Sequence, residues 1–294
     1  MTEAALKRHQ APAAIGSFGP VDILGPHPRP PSVFAEWLAA KDEYAARIAH
    51  RVLCERDCDP RPVIREVAQW LERHHTSRER LESLRRQAEI LVRQGFPERA
   101  SKLTPYPSKD VTRKGNLAEI ILAEYICDSG EVKLPVYRLR HNPNIDEPMK
   151  GNDVLAFDLD SQPVRIVVGE AKFRGSASKE AVDGILEDLG RSCRNVVPVS
   201  LGFVAQMLYQ EGKTELADRV NECYTLCLND AVRLDYVGLL MSDERSAEMV
   251  RTHASSEIRR LLVISMGLRD PVGFCRECWT EVGQCGRDEP TEGA

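Results

Sequence analysis

No run of about 18 apolar residues occurs in the chain, so a membrane-spanning helix is not expected. The opening residues, MTEAALKRHQAPAAIGSFGP, lack the continuous apolar centre of a secretory signal. These two absences predict a cytoplasmic protein with no membrane partner. A basic surplus is missing as well. The net charge of −5 argues against wholesale coating of nucleic acid, though it allows a local basic groove. Neither GxxxxGK[ST] nor GxGxxG is present, which leaves ATP and dinucleotide binding without local support. The nine cysteines are odd in number and spread over 294 residues, a pattern that suits reduced thiols rather than a disulfide scaffold.

Residues 1–32 hold Pro12, Pro20, Pro26, Pro28, Pro30 and Pro31 and read as a Pro-rich extended arm. Residues 33–105 read as a helical region. Ser32 suits an N-cap, and Trp37, Ala40, Tyr44, Ile48 and Val52 recur near every fourth residue. Two further helices are expected at 62–75 and 77–94, the latter closed by Gly95 and Pro97. Across 61–102 ten basic residues face six acidic ones, consistent with a solvated helix face or a nucleic-acid or partner surface. Residues 110–274 carry the remaining pattern: a helix from about Gly115 to Cys127, an apolar strand LPVYRLR, a hairpin, and helices over 177–192, 201–211 and 214–229. Strands at 234–241 and 259–266 follow. This order predicts an α/β domain with a mixed central sheet flanked by helices.

The hairpin carries the chemistry. DVLAFDL and VRIVVGEAKF flank DSQP, whose residues favour a turn. Side chains alternate along a strand, so Glu170 and Lys172 share one side. Antiparallel pairing brings Asp153, at the head of the first strand, near them. Two hard carboxylates suit Mg²⁺, or Mn²⁺ in its place, and such an ion acidifies water and stabilises charge on an attacked phosphorus. A lysine two residues on can orient that water and offset negative charge. The E-x-K triplet alone is weak, and Glu131-Val132-Lys133 repeats it without an acid-headed strand before it. If the hairpin lies as argued, Arg138, Arg140, Lys150 and Arg174 surround the acids and could contact DNA phosphates.

Gly151-Asn152-Asp153, with Glu170-Ala171-Lys172 seventeen residues beyond the aspartate, resembles the D…(D/E)-x-K signature of the PD-(D/E)XK nuclease superfamily. The resemblance implies a restriction-endonuclease-like α-β-β-β-α-β core. It also implies a glutamate on the first core helix, which Gly115-Asn116-Leu117-Ala118-Glu119 matches, with Glu124 a weaker alternative. Asp153, Glu170 and Glu119 would then be metal ligands, and Lys172 the water-polarising residue. The stretch from about Gly115 to Asp270 is similar to the HamA family, the nuclease subunits of the Hachiman anti-phage system. That likeness implies a magnesium-dependent DNA nuclease paired with a superfamily 2 helicase of the HamB kind. The Pro-rich arm and the tail, residues 275–294, do not map onto the family pattern.

Two other functions compete: a non-cleaving subunit that binds DNA or a partner, and a restriction or repair endonuclease acting alone. Weaker signals are read as structural. Cys275, Cys278 and Cys285 resemble half a zinc knuckle but lack a fourth ligand nearby, so free thiols are expected. Cys54 with Cys58, and Cys223 with Cys227, are read as core helix residues, and His74-His75 as a solvated helix end. Lys179, Asp183, Glu187 and Asp188 are assigned to an ordinary helix surface.

Overall fold

The structure, a computed structural model, describes residues 18–45 and 48–282. After a helical turn at Pro20–Ile23 come α1 (Val33–Trp37), β1 (Leu38–Ala45) and β2 (Ile48–Glu55). Helices α2 (Pro60–His75) and α3 (Arg78–Arg93) precede a second single turn, Pro97–Ala100, and the long α4 (Asp110–Gly130). A 3-10 turn at Arg138–His141 leads to β3 (Val154–Asp158) and β4 (Arg165–Phe173). Then follow α5 (Lys179–Arg194), α6 (Leu201–Gln210), α7 (Thr214–Leu228), β5 (Arg233–Asp243), α8 (Ser246–His253), β6 (Leu261–Leu268) and α9 (Pro271–Glu281). The six strands form one mixed sheet in the order β1-β2-β6-β5-β4-β3, with antiparallel pairs at its two margins and parallel pairs between.

Alternation along the strands feeds two cores. Val167, Val237 and Leu262 join α1, α2, α4 and α9 on one face, while Ile166, Val168 and Val263 join α5 to α8 on the other. A strand buried on both faces is apolar throughout, which is why these segments stand out in the sequence. Helix starts follow local chemistry. Asp59, Ser77, Ser178 and Asp270 each accept a hydrogen bond from a backbone N–H of the helix they precede.

Several expectations are corrected. The helix begun at Ser32 lasts five residues and gives way to the β1–β2 hairpin, paired from Leu38↔Glu55 to Ala45↔Ile48. A four-residue spacing is even, so it keeps one face of a strand as well as one stripe of a helix. The sheet therefore extends into the region expected to be helical. LPVYRLR is not a strand. Pairing stops at the residue before it, where Lys133 bridges Phe157, because Pro135 offers no N–H to a ladder and the chain then turns at Arg138. The Pro-rich segment, where described, is packed: Ile23 and Leu24 are buried in the core. His74 and His75 are buried rather than solvated, Cys54 and Cys58 are exposed rather than core, and Cys223 and Cys227 are buried as expected. Cys275 and Cys278 are free buried thiols on α9, whereas Cys285 lies outside the described residues.

At the amino end of the parallel strands, the fully buried Asp235 accepts hydrogen bonds from Arg165 Nε (2.8 Å), Arg233 Nε (2.9 Å) and Arg260 Nε. The same guanidiniums donate to the carbonyls of Asp22, Ile23 and Gly130, fixing the first described segment to the sheet. Removing one partner of a buried charge network strands the others. Asp235→Ala is expected to cost about 3–5 kcal/mol in urea denaturation. A loss below about 1 kcal/mol, the range of an exposed pair, would sink this assignment.

Candidate active site

The β3–β4 register runs from Val154↔Gly169 to Asp158↔Arg165, so Asp153 comes opposite Glu170. Asp158 closes the intervening turn, its Oδ1 accepting from Asp160 N and Ser161 N at 3.1 Å each. Gly169 permits the close approach. A Cβ there would lie 2.8 Å from Val154 Cβ and 3.1 Å from Leu122 Cδ2 of α4. Gly151 is required on two counts: its φ is +112°, and a Cβ would fall 2.5 Å from Ser200 Oγ. The buried Asn152 donates from its backbone N to Ser200 Oγ (2.8 Å) and from Nδ2 to Ser192 Oγ (2.7 Å), which clamps the loop immediately before Asp153.

Asp153 Oδ2 accepts from Ala171 N at 2.9 Å. Its Oδ1 lies 3.5 Å from Arg138 Nη1, and Arg138 Nε lies 3.4 Å from Glu119 Oε1. On the other side Lys172 Nζ donates to Glu170 Oε1 (2.7 Å) and to Asp188 Oδ2 (2.6 Å), with Arg191 also bonded to Asp188. Four carboxylates thus run from α4 past the head of β3 to α5, bridged in pairs by two cations. Burial pushes Glu119 up to about 8, with Arg138 opposing and Asp153 adding to the rise. Burial and then the charge of Asp153 push Glu170 up to about 8, against the pull of Lys172. Asp153 is raised by burial, an effect that Arg138 and the Ala171 N–H partly offset. For Lys172 burial acts downward, but hydrogen bonds to Asp188 and Glu170 outweigh it and keep the ammonium charged.

The structure therefore brings together Glu119, Asp153, Glu170 and Lys172, and adds Asp188 to them. Asp188 lies one turn beyond Gly184 on α5, and Lys172 Cε is 3.5 Å from where a Cβ at Gly184 would sit. A helix-surface reading of Asp188 misses this, because the contact depends on how α5 lies across β4. Glu124 is elsewhere, bonded to Arg73 Nη2 (2.8 Å) and His74 Nε2 (2.5 Å). Of the four candidate DNA-contacting cations, Lys150 and Arg174 are exposed. Arg138 instead turns inward to the acids, and Arg140 stacks on Tyr137, 4.6 Å from the ring centre, while donating to Arg73 O.

Two buried carboxylates, Glu119 and Glu170, and the half-buried Asp153 between them offer the hard oxygens that suit a divalent cation. Among the described residues, however, no three Asp, Glu, His or Cys side chains are gathered closely enough to hold a metal ion. Arg138 stands beside Glu119 and Asp153, and Lys172 bonds Glu170 and Asp188.

The helix carrying Glu119 is anchored one turn earlier. His75 Nδ1 bonds Leu71 O (2.7 Å) and its Nε2 bonds Asn116 Nδ2 (2.9 Å), both nitrogens being satisfied by the neutral ring. Burial holds this imidazole down at about 4. An unfolded histidine titrates near 6.5, so the stability that this group contributes is present above about 6.5 and lost as pH falls toward 4. Between pH 6.5 and 5 the wild-type protein is expected to lose about 2 kcal/mol more than His75→Gln, measured as urea unfolding free energies. Parallel pH profiles would overturn this.

The fold and site together define a mixed-sheet α/β protein with an acidic constellation and one lysine at the carboxyl end of its parallel strands. The family model for HamA matches residues 32–271. The chain is 34% identical over 256 residues to the Hachiman protein HamA of Bacillus cereus, covering 87% of this chain and 92% of that relative. The chain belongs to the HamA family. Among the described residues no helix is long and apolar enough to cross a membrane.

Proposed function

We propose that the protein is a magnesium-dependent DNA nuclease with a PD-(D/E)XK core, serving as an effector of Hachiman anti-phage defence beside a helicase subunit. The observation that carries this reading is the convergence of Glu119, Asp153, Glu170 and Lys172 at the covered end of one hairpin. Membership of the HamA family supports the defence role. Asp153, Glu170 and Glu119 would hold the ion, which when bound supplies Lewis acidity toward a phosphodiester. Ala171 N–H and the Asn152 clamp fix the direction of Asp153. Lys172, kept protonated by Asp188 and Glu170, places a positive charge where negative charge grows during attack on phosphorus. Lys150 and Arg174, exposed and close in sequence to Asp153 and Lys172, would meet the DNA backbone.

A second reading, a subunit that binds DNA without cutting it, is favoured by the cations already beside the acids, Lys172 on Glu170 and Asp188 and Arg138 near Glu119 and Asp153. The two are separated by incubating linear and circular DNA with the protein and Mg²⁺ or EDTA, alone and with its helicase partner. Glu170→Gln and Lys172→Ala are each expected to reduce cleavage by at least about 10³-fold in protein that still folds. Mg²⁺-dependent cleavage that survives either substitution would remove this site, and DNA binding without cleavage under every condition would favour the second reading.

A further inference from the structure

The four carboxylates are not equivalent in what neutralises them. Lys172 bonds Glu170 and Asp188 directly, at 2.7 and 2.6 Å. Arg138 stands farther from its acids, at 3.4 Å from Glu119 and 3.5 Å from Asp153. Its close hydrogen bonds go to backbone carbonyls instead: Nη1 to Asn152 O, and Nη2 to Met149 O at 2.7 Å. The guanidinium is therefore held by the loop leading into Asp153, and its charge is offered to the two acids from that anchorage. Its side chain is only 11% exposed.

We infer that Arg138 is a resident counter-ion that competes with a divalent cation for Glu119 and Asp153, and so sets how tightly the site takes up metal. This inference rests on the metal-dependent reading of the site. A fixed positive charge within about 4 Å of both acids lowers their attraction for a second cation, strongly so under cover from water. It also stands within reach of both, where a bound cation would need their oxygens. The turn bearing Arg138 is secured from outside the sheet: Arg140 Nε donates to Arg73 O (2.8 Å), and Arg80 Nη1 donates to Arg140 O (2.9 Å). The guanidinium is thus a built part of the site and not a stray surface group.

The test measures metal uptake without DNA, by calorimetric titration of the full chain with Mn²⁺. Arg138→Gln removes the charge and leaves an uncharged amide in its place, and it is expected to bind Mn²⁺ at least about tenfold more tightly than wild type. Arg138→Lys keeps the charge on a shorter, unforked group that cannot hold both carbonyls. It is expected to fall between the two, about threefold tighter than wild type, and it decides the matter if the glutamine variant does not fold. Equal or weaker affinity in a folded Arg138 variant, with wild type binding measurably, overturns the inference and leaves the metal site standing. No uptake by wild type or by either variant overturns both.

Discussion

Carboxylates drawn under cover must be neutralised by protons, by cations or by hydrogen-bond donors, and this requirement governs the end of the sheet where β3 and β4 meet α4 and α5. All three solutions are used. Glu119 and Glu170 have their titration moved up to about 8, Asp153 takes a backbone N–H, and Arg138 and Lys172 are shared between pairs of acids. The surrounding packing keeps this arrangement in place. Gly151 and Gly169 let the chain pass where a side chain would collide, and Asn152 ties the loop to α5 and to the start of α6. Apolar packing on both faces of the sheet flanks this arrangement.

The opposite end of the parallel strands shows the reverse balance. There a single buried acid, Asp235, gathers Arg165, Arg233 and Arg260. The spare donors of those arginines find backbone carbonyls, so the cluster is satisfied and serves as a fastening for the first described segment. At the carboxyl ends of the strands the acids are in excess and their partners are fewer. One end of the sheet is settled, and the other is left wanting positive charge.

Much of this was legible in the sequence because its signals were local. The β3–β4 hairpin announced itself through an apolar run, a DSQP turn and charge following at once. The strands β5 and β6 and helices α2, α3, α5, α6 and α7 had clear periodicity or caps. Three things were hidden for physical reasons. The β1–β2 hairpin has an even spacing of apolar residues that also suits a helix, and its AARI connection contains none of the residues that favour turns. LPVYRLR has strand composition, yet Pro135 breaks the ladder. Asp188 and the inward turn of Arg138 depend on how distant elements cross, and no window of sequence contains that information.

Helix α3 is held lightly to the rest of the molecule, with Arg80 donating to Arg140 O. Helix α3 has no buried residue, and Leu81, Leu84 and Leu91 are only half-covered. Its backbone protection comes chiefly from its own hydrogen bonds, and a lone sixteen-residue helix is marginal in water. Opening of α3 should therefore be uncoupled from unfolding of the sheet, with amide exchange there orders of magnitude faster than in β4, β5 and β6. The protein would then have two stabilities: a cooperative one for the strands that carry the acids, and a much smaller one for an arginine-rich helix that can melt and re-form while the sheet stays intact.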